Sequence, residues 1–212
     1  MSSRPRKGPS QGCRSERRPN RSSTCGPGDR GSPSSLQAVV KHYIANKRCG
    51  AGEELEAFTS AVTLRDAVRM AALAKTPEGK LRHQWRIPNR VLAECARHLE
   101  AAVPELAAAP TFEALHDVVR SEIRGVRGVG KLTVYDTALR IAAWRRLEPA
   151  RVFLHAGTRV GARHLGLGVG AESLSIEDLP APLRSLRPRE VEDVLCIYKE
   201  DLAALRSRKA GK

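Results

Sequence analysis

From Ser35 to Leu205 the apolar residues return every three or four positions and almost nowhere alternate, the spacing that lines one face of an α-helix. Leu36, Val39, Val40 and Tyr43 form the first stripe. Leu64, Ala67, Val68 and Ala71 form a second, with Thr63 placed to cap it. Pro88 suits the first turn of a helix that carries Val91, Leu92, Cys95 and Leu99 on one face. Thr111 is set to cap another, with Phe112, Leu115, Val119 and Ile123 inward. Helices are also predicted over about residues 131–146 and 155–165. Pro188 opens the last, with Val191, Val194, Leu195, Tyr198, Leu202 and Leu205 in register. Between these, "KTPEGKLRHQWRIPNR" reads as a loop crowded with polar and basic side chains, and "AAVPELAAAPT" as a linker with room for a short turn. The expectation is an all-α domain over residues 35–206, a compact bundle of about seven helices with a short basic end at 207–212.

Residues 1–34 are nearly all Arg, Ser, Gly and Pro. Such a segment has too little to bury to offset its ordering entropy, so a disordered basic tail is expected there. It is Arg- and Ser-rich like a transit peptide, yet it lacks an amphipathic stretch, and its Pro and Gly oppose a helix. No segment approaches the apolar length of a signal-peptide core or a membrane span. The expected location is intracellular, either cytoplasmic or beside nucleic acid in a nucleoid or nucleus. The five cysteines, at 13, 25, 49, 95 and 196, contain no CxxC pair, and His83, His98, His116 and His164 show no ligand spacing. No metal, iron–sulfur cluster or other cofactor is called for. Cys95 and Cys196 fall on apolar helix faces and read as small buried hydrophobes.

The chain carries a net charge of +14, and its distribution is uneven. Residues 35–119 hold eleven basic and ten acidic side chains, and residues 165–212 hold eight of each. Residues 120–164 hold ten basic and three acidic, a net of +7. The tail accounts for the rest. A concentrated positive window suits a polyanion such as nucleic acid. The plainer alternative is a solvated basic face.

That window contains "GVRGVGK", a tight glycine turn between two predicted helices. Gly128 and Gly130 permit backbone conformations closed to residues with a β-carbon, and they let a partner approach the main chain. The following helix begins at once, so its free N–H groups and positive dipole end offer a phosphate site. Lys131 adds charge, Thr133 a hydroxyl to donate or cap, and Arg124 and Arg127 surround the turn. Val126 and Val129 are placed to stiffen it from beneath. "VRGVGKLT" resembles the helix-hairpin-helix DNA-binding motif, with Arg127 where Pro is frequent and Val134 where Ala is frequent. The resemblance implies contact with the DNA backbone, which gives affinity and position without reading sequence. Without a ligand, the same glycines would simply join two packed helices.

A second stretch, "VFLHAGTRVGARHLG" from Val152 to Gly166, is similar in placement and in its Leu-Gly ending to the catalytic segment of the helix-hairpin-helix DNA glycosylases. Aligned there, His155 occupies the position of that family's catalytic Asp. Leu132, beside Lys131, occupies that of the lysine in the bifunctional members. Neither family side chain is present, and a neutral imidazole supplies no negative charge to a developing cation. The resemblance therefore implies a scaffold that holds duplex or damaged DNA, as in DNA repair, without the familiar glycosylase chemistry. His155 reads first as structural or DNA-contacting, and with Asp136 as a candidate acid–base pair. Asp136 precedes Arg140 by four residues, which a surface ion pair explains. Gly157 and Gly161 bare one helical face to a helix or a ligand, and Arg159 and Arg163 share a face able to reach phosphates. Asp193 on the last helix is a candidate distant carboxylate, which Glu192 and Lys199 nearby make read as solvated. Two other readings stay open. An enzyme with a divergent centre at His155 predicts a pocket between the turn and the helix that begins at His155, whereas a protein-interaction module keeps the turn only to join helices.

Overall fold

The computed structural model describes residues 33–76, 79–81 and 84–210. The tail expected at 1–34 lies outside these apart from Pro33 and Ser34, and so do His83 and the last two residues of the basic end. The described chain is mostly helical, with ten α-helices and two pairs of very short strands. No helix among the described residues is long and apolar enough to cross a membrane.

Capping residues start several helices where the sequence placed them. Ser35 accepts from the Ala38 amide ahead of α1 (Leu36–Asn46). Thr63 and Asp66 exchange hydrogen bonds in a capping box that opens α3 (Leu64–Ala72). Thr111 accepts from Ala114 N at the start of α6 (Phe112–Ile123). Pro88 is the N-cap of α4 (Asn89–Ala101), one residue outside the helix that it was expected to begin. Further along the chain lie α7 (Lys131–Arg145) and α8 (Ala156–His164).

Ten helices replace the expected seven for local reasons. Helix α2 (Arg48–Thr59) carries too few apolar residues to register as a stripe. Helix α5 (Val103–Ala108) occupies the expected linker. Tyr198, at φ −102° and ψ 21°, divides the last stripe into α9 (Pro188–Ile197) and α10 (Lys199–Ala210). Two residues per strand are also too few for alternation to show. β1 (Lys75–Thr76) pairs antiparallel with β2 (Gly79–Lys80), and β3 (Val152–Phe153) with β4 (Ser173–Leu174).

The helices enclose two hydrophobic cores. Phe58, Leu99, Phe112, Leu115 and Ile141 belong to one, built chiefly by α3, α4, α6 and α7. Tyr43, Leu183, Val191, Leu195 and Leu202 belong to the other, which gathers α1, α9 and α10. The segment through β3 joins them by alternation: Val152 and Leu154 enter the second core, while Phe153 packs on the first. Cys95 is buried in the first core, and burial pushes its thiol up to about 11.

The bare face of α8 is taken by a helix. A β-carbon on Gly157 would stand 2.6 Å from Cys196 Sγ, and one on Gly161 would overlap the carbonyl oxygen of Leu195. Helices α8 and α9 therefore cross backbone to backbone, a contact open only to glycine. Gly161→Ala is expected to lower stability by about 2–3 kcal/mol in urea unfolding, because the obstructing atom is main chain and cannot swing aside. An unchanged midpoint would show that the two helices separate without cost.

Candidate nucleic-acid interface and adjoining pocket

Helix α6 ends at Ile123, and a compact turn carries the chain to α7. Val126 N donates to Ile123 O at 3.1 Å, and Val129 N donates to Val126 O at 3.0 Å. Val126 is buried beneath the turn, and Val129 is half-buried against the first core. Gly128 has φ +98°, a region costly for any side chain. Gly130 does not: at φ −106° and ψ 173° it is an ordinary extended N-cap. A β-carbon there would meet nothing within 4 Å, so neither the backbone nor the packing around it requires glycine. Helical bonding opens with Val134 N donating to Gly130 O, so the amides of residues 131–133 have no acceptor inside the helix.

Around this open helix start, Arg124, Arg127 and Lys131 are exposed. Lys131 Nζ lies 2.9 Å from Glu172, whose carboxylate also stands 3.6 Å from Arg120. The hydrogen bond from Lys131 holds the Glu172 carboxyl below its ordinary range. Thr133 departs from its expected capping task, because the N-cap is Gly130 and the threonine is 8 % exposed, turned inward in the first turn of α7. Arg159 is likewise occupied. Its guanidinium donates to the carbonyls of Leu154 at 2.9 Å and Ala171 at 2.8 Å, bracing the loop between α8 and β4. Arg163 is exposed on α8.

Beside the turn lies a pocket of about 500 Å³. Its inner wall is aromatic, with His116, Tyr135 and Phe153. The His116 and Phe153 rings stand 4.5 Å apart, and those of Tyr135 and Phe153 5.6 Å. Its rim is charged, with Arg120, Arg124, Lys131 and Glu172. His155 reaches it from the start of α8. Burial lowers the His116 pKa, which favours a neutral ring in the wall. Tyr135 is 2 % exposed, and its hydroxyl has no hydrogen-bond partner among the described residues.

The carboxylate beside His155 is Glu192, not Asp136. His155 Nε2 abuts Glu192 Oε1, and Thr158 Oγ1 lies 2.8 Å from the same nitrogen and donates to Glu192 at 3.0 Å. Asp136 instead accepts from Gln84 Nε2 at 2.9 Å and sits 3.9 Å from Arg140. That ion pair is not at the surface as expected, for Arg140 is 2 % exposed.

Asp193 also departs from the solvated reading, and its neighbour Glu192 is buried. Glu192 is 8 % exposed, and Asp193 accepts from the Tyr43 hydroxyl at 2.7 Å. Burial, with the neighbouring Glu192 charge, pushes the Asp193 carboxyl up to about 7. The register of α9 offered one clue, since Glu192 adjoins the apolar Val191 and lies three residues before Leu195. No spacing in the sequence linked it to His155, which is carried on another helix. Among the described residues no three His, Cys, Asp or Glu side chains gather as metal ligands would. The chain matches no protein family, no curated protein and no solved structure.

Two outcomes test this geometry. Gly128→Ala is expected to cost about 1–2 kcal/mol, whereas Gly130→Ala should stay within about 0.5 kcal/mol, as chemical denaturation would show. Equal losses would contradict the assigned conformations. Asp193 binds its proton more tightly when folded than unfolded, so the wild type loses stability as pH rises from about 4 towards about 7. Asp193→Asn lacks that loss, and its stability relative to the wild type should improve by about 1–3 kcal/mol between pH 5 and pH 8.

Proposed function

We propose that this chain binds DNA through the phosphate backbone, with the turn at 124–131 as its anchor. The observation that carries the reading is the open start of α7, where inner-turn amides face a space that Gly130 leaves clear. Exposed Arg124, Arg127 and Lys131 surround it. Helix amides and lysine together favour a phosphate oxygen over a neutral ligand. In this reading the turn acts as a helix-hairpin-helix unit. Glu172 is displaced from Lys131 when a phosphate arrives, an exchange of one anion for another that costs little at an exposed ion pair.

A second reading, an enzyme on this scaffold, is favoured by the pocket. An imidazole at its edge backed by a buried carboxylate is an arrangement suited to general-base work, with Glu192 orienting His155. The missing carboxylate at position 155 is thus partly supplied from α9. His155 takes a proton from a hydroxyl or water in the pocket, and Glu192 stabilises the imidazolium that results.

The first reading is tested with the full chain on duplex DNA at several salt concentrations. A Gly128→Val/Lys131→Glu variant, confirmed as folded by circular dichroism, is expected to bind at least about ten-fold more weakly. Its salt dependence should be shallower by about one to two charges. If the variant binds as the wild type does, the turn is not the anchor.

A further inference from the structure

The loop between β2 and α4 carries an aromatic side chain that neither core uses. Trp85 is 66 % exposed, whereas Trp144 is half-buried with its indole N–H donating to Ala61 O at 2.9 Å. The residue beside Trp85 is firmly anchored. This residue, Gln84, is 4 % exposed and fixed at both ends of its amide. Gln84 Nε2 donates to Asp136, and Gln84 Oε1 accepts from Arg140 Nη1 at 2.9 Å. Ile87 N closes a turn on Gln84 O at 3.1 Å. The indole is thus held outward by a buried polar anchor.

That anchor lies on α7, the helix that leaves the glycine turn. The first turn of α4, which follows this loop, lies near the glycine turn. A β-carbon on Gly128 would stand 3.7 Å from Val91 Cγ2, in ordinary contact. The residue beside Trp85 is therefore bonded to the helix that leaves the turn, and α4 begins close to that turn. The loop surface is basic. The Arg86 guanidinium lies 5.5 Å from the Trp85 ring centre, and Arg90 is exposed at the start of α4, beside Val91.

An exposed indole with guanidinium groups around it suits a partner that offers both a flat π-face and negative charge. An unpaired nucleotide offers both, its base stacking on the ring and its phosphate meeting arginine. Bases inside a duplex have their faces covered by their neighbours and present only edges to a protein. We infer that Trp85, with Arg86 and Arg90, is a stacking platform for an unpaired base of the strand held at the glycine turn, so that the preferred partner contains a single-stranded stretch. This rests on the backbone-binding reading above and narrows its substrate class.

The test uses the full chain against one sequence supplied single-stranded and as a blunt duplex, at fixed salt. Trp85→Ala is expected to weaken single-strand binding about ten-fold, the size of one lost base stack, and duplex binding less than about two-fold. Trp85→Phe, which keeps a ring, should restore most of the single-strand affinity. In a Trp144→Phe background, where Trp85 is the sole indole, single strands should quench the fluorescence and the duplex should not. Equal affinities for wild type and Trp85→Ala, or binding without quenching, would overturn the platform. The Gly128→Val/Lys131→Glu variant separates the two readings. If it loses binding while Trp85→Ala does not, the turn stands and the platform falls. If only Trp85→Ala loses binding, the platform stands alone.

Discussion

A single buried guanidinium organises the region around the turn. Arg140 is 2 % exposed in the middle of α7 and has partners on three separate segments. Glu54 on α2 lies 3.8 Å away, Gln84 accepts from it in the loop before α4, and Asp136 stands one turn back on α7. Its charged group also lies 5.6 Å from the centre of the Phe58 ring. Taking an arginine out of water costs several kcal/mol unless its donors are met, so these partners are held to their positions by the penalty of leaving it alone. Burial lowers its pKa, and the two carboxylates work against that shift. The consequence is geometric: α2, the tryptophan loop and the second helix of the glycine turn share one fixed frame.

Charge is arranged differently on the two sides of the pocket. At the rim, Lys131, Arg120 and Glu172 are exposed and exchangeable, the kind of pairing that contributes little to stability and yields to a stronger anion. Behind the pocket, His155, Glu192 and Thr158 are buried and mutually bonded, so they keep their places whether or not anything is bound. In the proposed reading, the replaceable outer charge receives a charged chain and the fixed inner pair stands behind it. The α8–α9 crossing makes this possible, because Gly157 and Gly161 let the helix bearing Glu192 come close enough to reach His155.

Much of the local structure is legible in the order of residues alone. Local rules govern caps, and Thr63 and Thr111 cap as their sequence neighbours require. The turn between α6 and α7 is readable from its glycines, although only Gly128 takes a backbone conformation that favours glycine, while Gly130 is extended with open space beside it. Helix number is less legible. A break such as that at Tyr198 divides a helix without interrupting the apolar stripe. Side-chain tasks are least legible, since Arg159 and Arg163 look alike on a helical wheel, yet only Arg159 finds two backbone carbonyls within reach.

The sequence by itself determined the helical character, the helix starts and the concentration of positive charge around a glycine turn. Each of these follows from residues within a few positions of one another, where periodicity, capping and composition act. Only the tertiary structure decided that Glu192 would stand beside His155, that Asp136 and Arg140 would both bond Gln84, and that Trp85 would stand outward. Those pairings join residues far apart in the chain. They depend on how closely helices cross and on which buried donor most needs an acceptor, quantities that exist only once the chain is packed.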